Sequence, residues 1–138
     1  MAIPHVRFGH IAFRTADAER SVRWYGEAFR ARRVFHAPQE GERQELMFLE
    51  FSKGQYVELF TRGVEREKPP FDRVGYQHFC LVVEDLDQAL EHLATMKVFP
   101  QRPPRQGRSH YRIAFIADPD GNLIELMEIS PQSAIYRD

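Results

Sequence analysis

Two histidines and two glutamates recur in this chain with matched spacing, and these four side chains have the chemistry of a reactive site. Glu58 follows His10 by 48 positions, and Glu125 follows His78 by 47 positions. The two histidines are 68 positions apart. Each of the four stands in a short, mostly apolar stretch, where a desolvated carboxylate needs a partner or a metal ion. The recurrence indicates one structural module that is used twice.

The elements that position these residues follow from the periodicity of apolar side chains. In each half, a strand with the histidine precedes an amphipathic helix, and three further strands follow, the last of which carries the glutamate. We predict an α+β fold of two tandem β-α-β-β-β modules, which form a curled mixed sheet, or half-barrel, with the helices on the outside. The modules span residues 6–61 and 75–129 of a single domain over residues 1–138, with a linker over 62–74 and a loosely held tail over 130–138.

Local signals refine the two modules. Residues 18–30 have apolar side chains at helical spacing, and Thr15 and Asp17 are both suitable as the N-cap of that helix. Val98 and Phe99 predict a short strand in the second module, and the proline-rich stretch 100–107 that follows predicts a loop.

The alternation of side chains along strands predicts where the four residues meet. If the first strand of each module lies beside the fourth, His10 comes near Glu58 and His78 comes near Glu125. Their side chains then share the face that the helices leave uncovered. Two imidazoles and two carboxylates suit a divalent first-row metal with room for water or substrate. A single strand histidine is more often structural, so the twofold recurrence is what favours a metal site.

Composition excludes several classes of protein. The formal net charge is −1, so overall charge gives no reason to expect a nucleic acid or a membrane as partner. Cys80 is the single cysteine, which excludes an intramolecular disulfide and a cysteine-based zinc site. The N-terminal residues lack the apolar run of a signal peptide, so we expect a cytoplasmic protein.

Five short motifs carry a resemblance to a known family: residues 9–13, 21–25, 56–60, 77–87 and 118–126. With these motifs the chain resembles the vicinal oxygen chelate superfamily, which includes glyoxalase I, bleomycin resistance proteins and extradiol dioxygenases. The resemblance extends from about Val6 to Ile129. It implies that His10, Glu58, His78 and Glu125 are metal ligands, and this set is most similar to that of the bacterial glyoxalase I branch.

The resemblance also implies a reaction. Glyoxalase I-like lyases isomerise the hemithioacetal of a 2-oxoaldehyde and a thiol, a substrate with two vicinal oxygens, through a metal-bound ene-diolate. Glu125 or Glu58 would be the catalytic base as well as a ligand, and Glu125 is our first choice. The metal would be nickel, zinc, cobalt, manganese or iron, and a low-molecular-weight thiol would be the co-substrate.

Other interpretations stay open. The same scaffold supports a metal-dependent ring-cleaving dioxygenase, and also an antibiotic resistance or binding protein. On the substrate side, Arg14 has the right face to hold a carboxylate, and Arg105, Arg108, His110 and Arg112 are candidates for an anionic thiol or a phosphate, although an ordinary solvated role is the commoner reading for all of them. Superfamily members of this length are commonly homodimers, with modules paired within or across chains.

Overall fold

The computed structural model describes residues 6–68 and 70–129. Two compact units divide the chain between Glu67 and Lys68. This boundary falls inside the predicted linker, while the assignment of both modules to one domain stays a prediction. The predicted tail over residues 130–138 lies outside the described residues.

The first unit has the element order β-α-β-β-β. Its strands and its helix are β1 (His10–Arg14), α1 (Ala18–Phe29), β2 (Arg32–Ala37), β3 (Leu46–Ser52) and β4 (Gln55–Phe60). They form a four-stranded sheet in the order β1-β4-β3-β2. β1 runs parallel to β4, and the other two pairings are antiparallel.

The second unit repeats this order. Its elements are β5 (Phe79–Val83), α2 (Leu86–Thr95), β6 (Arg105–Gln106), β7 (Arg112–Ala117) and β8 (Leu123–Glu128). The sheet order is β5-β8-β7-β6, with β5 parallel to β8. Two helices and two four-stranded mixed sheets that are not closed therefore make up the described α+β fold, and the first strand of each module lies beside its fourth, as predicted.

Both helices begin at an aspartate whose side chain caps the first turn. Asp17 Oδ1 accepts a hydrogen bond from the backbone N–H of Arg20 at 3.0 Å, and Asp85 Oδ1 accepts one from Gln88 at 2.9 Å. Each bond satisfies one of the backbone donors that the first helical turn leaves unpaired. Neither helix in the described part of the chain combines the length and apolar character needed to cross a bilayer.

The helix-side face of each sheet is the apolar core. In the first unit Val57 and Leu59 of β4 are buried, and in the second unit Ile124 and Leu126 of β8 are buried. Burying one such side chain contributes about 1.5–3 kcal/mol. Since neighbouring residues on a strand point to opposite faces, this burial turns Glu58 and Glu125 away from the helices.

One predicted strand is wrong. Val98 and Phe99 are not in a strand, and the edge strand β6 lies instead inside the stretch predicted as a loop. The backbone N–H of Val98 donates to the carbonyl of Leu93 at 2.9 Å, so it closes the end of α2 and is not available to a sheet. Prolines before Arg105 lack the N–H that a ladder needs, which restricts β6 to two residues.

Each unit has a glycine in the turn before its glutamate strand, and substitution of these glycines tests the backbone conformation of the two turns. Gly54 and Gly121 both have a φ of 80°. We expect Gly54→Ala and Gly121→Ala each to lower the free energy of unfolding by about 1 kcal/mol, because a side chain disfavours positive φ. A Cβ on Gly54 would meet nothing within 4 Å, whereas one on Gly121 would meet the flexible end of the Lys68 side chain. Urea unfolding of both variants should give equal losses, and a much larger loss for Gly121→Ala would show that Lys68 is held in place.

Candidate functional site

The first unit brings His10 and Glu58 together. In the parallel register, His10 is opposite Tyr56 and Ala12 is opposite Glu58, so the two reactive side chains are diagonal neighbours on one face. Their Nε2 and Oε2 atoms are 3.0 Å apart. The Glu58 side chain is only 14% exposed, so its carboxylate is largely removed from water and needs this partner.

The second unit brings His78 and Glu125 together in the same way. His78 lies just before β5, and Cys80 within that strand is opposite Glu125. Nε2 of His78 and Oε2 of Glu125 are 2.8 Å apart, and the Glu125 side chain is 17% exposed. The structure therefore brings each histidine into contact with the glutamate of its own module, as the sequence predicts.

A neighbouring glutamine orients the His78 ring. Oε1 of Gln77 lies 2.7 Å from Nδ1 of His78. Because a carbonyl oxygen accepts, Nδ1 donates, and a neutral imidazole then has its lone pair on Nε2. This lone pair faces the Glu125 carboxylate, so a proton or a metal ion is needed to join the two atoms. Hydrogen bonds of this kind orient the ligand histidines of metal sites.

The ring of each histidine contacts a phenylalanine that lies on the other side of the glutamate strand. The ring centroids of His10 and Phe48 are 5.2 Å apart at an interplanar angle of 83°, and those of His78 and Phe115 are 5.1 Å apart at 89°. Phe48 is opposite Glu58, and Phe115 is opposite Glu125. Sequence reasoning missed both aromatic residues. Their common position in the strand before each glutamate strand, 67 residues apart, is the signal that could have found them.

The donor atoms fit a divalent first-row metal. Imidazole nitrogen and carboxylate oxygen are both ligands of first-row metals. The Nε2–Oε2 distances of 3.0 Å and 2.8 Å are those of a hydrogen bond, and they place one nitrogen donor beside one oxygen donor in each unit. Among the described residues, no group of three or more His, Cys, Asp or Glu side chains is placed to hold one ion. Each unit by itself therefore offers one pair of ligands.

Cys80 lies next to the second pair, opposite Glu125 on the neighbouring strand. Desolvation, together with the nearby Glu125 carboxylate, raises the pKa of the Cys80 thiol to about 12. A thiol with this pKa is almost fully protonated near neutral pH, so it is a poor nucleophile.

Arg14 shares the face of His10 and Glu58. Its Nη1 donates to the carbonyl of Thr61 at 2.9 Å, its Nη2 donates to Oε1 of Gln44 at 2.6 Å, and its guanidinium carbon lies 5.5 Å from the centroid of the Phe60 ring. Arg14 also lines an open cavity of about 640 Å³ within the first unit, together with Phe60 and Leu46. Five N–H donors leave this guanidinium capacity for a further acceptor.

Arg112 lies on the other face of its sheet. It is opposite Glu128, three positions along the strands from the pair formed by Phe115 and Glu125, and an odd number of positions reverses the face. Its two terminal nitrogens donate to the carboxylate of Asp87 at 2.9 Å and 2.7 Å, which ties β7 to the first turn of α2. The pKa of Asp87 is lowered, chiefly by this hydrogen bond. The predicted substrate role of Arg112 stays untested, but its guanidinium is already bound to a carboxylate away from Glu125.

The sequence of this chain matches the model of a known protein family. The model described as the Glyoxalase/Bleomycin resistance protein/Dioxygenase superfamily matches residues 7–126. The chain belongs to that superfamily.

Its relatives include lyases. The lactoylglutathione lyase of Pseudomonas aeruginosa is 28% identical over an alignment of 147 positions, which covers 89% of this chain and 82% of that protein. The lactoylglutathione lyase of Arabidopsis thaliana is 28% identical over 91% of this chain, but this chain spans only 45% of its length. A solved structure of the trypanothione-dependent glyoxalase I from Leishmania major has a TM-score of 0.70 and 26% identity, with 89% of this chain and 86% of that chain covered.

The raised pKa of Cys80 gives a direct prediction for thiol reactivity. At pH 8 an ordinary thiol is roughly one quarter thiolate, whereas a thiol with a pKa of about 12 is about 0.01% thiolate. We expect Cys80 in chelator-treated protein to react with a disulfide reagent at least about 100-fold more slowly than in urea-unfolded protein. Cys80→Ser provides the blank. Equal rates in folded and unfolded protein would contradict the raised pKa.

Proposed function

We propose that this chain is a divalent-metal-dependent lyase of glyoxalase I type, with His10, Glu58, His78 and Glu125 as the protein ligands. The observation that carries the proposal is the same His–Glu pair in both units, with Nε2–Oε2 distances of 3.0 Å and 2.8 Å. Relatives named lactoylglutathione lyase support the type of reaction. The proposed substrate is the hemithioacetal of a 2-oxoaldehyde and a low-molecular-weight thiol.

A complete site would need both pairs. First-row metal ions take four or more ligands, and each unit contributes two. We propose that one ion is shared by the pair from each unit, in a homodimer whose sites are formed within one chain or across two chains. Two imidazoles and two carboxylates then leave positions for substrate oxygens.

The chemistry requires a proton to move between two adjacent carbons. When bound, a divalent metal stabilises negative charge on the two vicinal oxygens of the substrate. Glu125 would accept the proton from the carbon that carries sulfur and return it to the neighbouring carbon, which yields a 2-hydroxyacyl thioester without any oxidant. Since its Oε2 faces His78, Oε1 is the atom that would take the proton.

The open cavity beside Arg14 would receive part of the substrate. Phe60 and Leu46 give it an apolar wall, and Arg14 gives it a cation that can hold a carboxylate. The thiol itself differs among relatives, since one is named for lactoylglutathione and another is trypanothione-dependent. Its identity in this chain is therefore a matter for assay with several thiols.

Metal content tests the ligand set. We expect about one divalent ion per chain in wild-type protein. We expect His78→Ala to lose most of this metal, because the substitution removes one of the four proposed ligands. His36 is a matched control, since its Nε2 lies 2.8 Å from Oε1 of Glu45 but outside both proposed pairs. His36→Ala should keep its metal. Elemental analysis of the three proteins without affinity tags measures this.

Two outcomes would contradict the ligand assignment. The first is wild-type protein that binds no metal even on titration, and the second is equal metal loss in His36→Ala and His78→Ala. Bound iron together with oxygen uptake on a catechol would favour the dioxygenase alternative instead.

Amide substitutions separate the base from the other carboxylate. We expect Glu125→Gln to lower kcat by about 10²–10⁴, because the amide cannot accept the proton, while its oxygen can still bind metal. Glu58→Gln should lower kcat less. Thioester formation from methylglyoxal and glutathione, together with the metal content of each variant, measures both effects. The reverse order of the two losses would assign the base to Glu58.

A further inference from the structure

Arg105 lies on the reactive face of the second unit because of the short edge strand that sequence reasoning did not predict. β6 pairs Arg105 with Ile113 in antiparallel register. Directly opposed residues share a face, and Ile113 alternates in phase with Phe115 on β7. Phe115 in turn is opposite Glu125. Arg105 therefore faces the same side as the His78–Glu125 pair, unlike Arg112.

Direct contacts support this placement. The guanidinium carbon of Arg105 lies 5.7 Å from the centroid of the Phe115 ring. The same ring is 5.1 Å from the ring of His78. A cation over an aromatic face is held by the ring quadrupole, which fixes the guanidinium plane while its edge stays available for hydrogen bonds.

The charge of Arg105 is not neutralised by the described parts of the chain. Over residues 6–68 and 70–129, no carboxylate forms an ion pair with Arg105, whereas Arg112, seven positions later, is bound to Asp87 through both terminal nitrogens. Arg105 thus brings an unpaired positive charge to the edge of the proposed site, one aromatic ring away from His78.

The first unit has no such charge at the equivalent place. There the equivalent of Ile113 is Leu46, whose edge-strand partner is Ala37, an uncharged residue. The ring of Phe48, which contacts His10, has Phe35 as its own edge-strand neighbour, with ring centroids 6.1 Å apart. The two His–Glu–Phe groups match, but one is flanked by an apolar ring and the other by a cation. The two units therefore differ in their edge strands, although their His–Glu pairs are the same.

From this asymmetry we propose that Arg105 binds an anionic group of the substrate and so determines which thiol adducts the site accepts. The inference rests on the proposed function for the kind of substrate and adds a residue that recognises it. The group is a carboxylate or a phosphate, since a guanidinium binds both in bidentate fashion. Arg105 is a specificity residue, and the proton-transfer step does not need it.

The test is calorimetric titration of the full chain with two unreactive probes, S-methylglutathione for carboxylates and inorganic phosphate for phosphates. Wild type, Arg105→Gln and Arg102→Gln are compared. Arg102 is an exposed arginine three positions before Arg105 and outside β6, and its variant has the same net charge as Arg105→Gln. We expect Arg105→Gln to weaken binding of one probe about tenfold, the effect of losing a charge-assisted hydrogen bond, and Arg102→Gln to leave the Kd unchanged.

Each result decides the inference. Loss confined to S-methylglutathione identifies a carboxylate, and loss confined to phosphate identifies a phosphate; both support an anion site at Arg105. Wild type that binds neither probe, equal affinity in Arg105→Gln and wild type, or equal weakening in both variants would overturn it. Circular dichroism spectra confirm that the variants are folded.

A separate kinetic assay distinguishes failure of the inference from failure of the proposed function. If no thiol and 2-oxoaldehyde give a thioester, while Arg105 still controls probe binding, the lyase assignment fails and the anion site stands. If the thioester forms and Arg105→Gln changes neither KM nor probe affinity, the lyase stands and the anion site fails. With both correct and a carboxylate as the group, Arg105→Gln raises KM for the glutathione adduct about tenfold and leaves kcat unchanged.

Discussion

A carboxylate on an otherwise apolar strand has to be matched by a partner, and this requirement governs both units of the structure. The Glu58 and Glu125 side chains are 14% and 17% exposed, so neither can rely on water for solvation. In each unit the partner is a histidine on the segment that lies parallel to the glutamate strand. Parallel neighbours need a long connection, and in each unit the chain between them consists of one capped helix and two further strands.

The core fixes the direction in which the reactive side chains point. Val57 and Leu59 flank Glu58 in sequence, and Ile124 and Leu126 flank Glu125, and all four apolar residues are buried on the helix side. A shift of either strand by one residue would put the carboxylate into that core and expose the apolar pair. The free energy of burial thus holds the register, and the register holds the His–Glu pairs. The phenylalanines on the adjacent antiparallel strands then limit how far each imidazole can rotate.

Much of this architecture could be predicted because it depends on period and spacing. The apolar period of α1 and the spacing between histidine and glutamate are local or recurrent features of the sequence. Their common face follows from parity once the first strand is placed beside the fourth. Whether the two pairs share one metal ion depends on the assembly of the units, and this part of the site stays a prediction.

The features that could not be predicted depend on long-range contacts. The stretch around Val98 has good strand propensity, but its amide is taken by the carbonyl of Leu93, and the edge position goes to Arg105 and Gln106. The contacts of Phe48 and Phe115 could not be predicted, since an aromatic residue in a strand gives no sign of the ring it will contact. Only the register of β6, β7 and β8 shows that Arg105 and Arg112 lie on opposite faces of the sheet.

X-ray absorption spectroscopy of the metal-loaded protein is the most direct test of the central claim, which is that the two His–Glu pairs hold one ion. The claim predicts scattering from two imidazole rings per metal, with nitrogen and oxygen neighbours at about 2.0–2.2 Å and no sulfur neighbour. A spectrum with one imidazole or none would contradict the shared site. A sulfur neighbour would also contradict it, because Cys80 would then be a ligand in place of a protonated thiol.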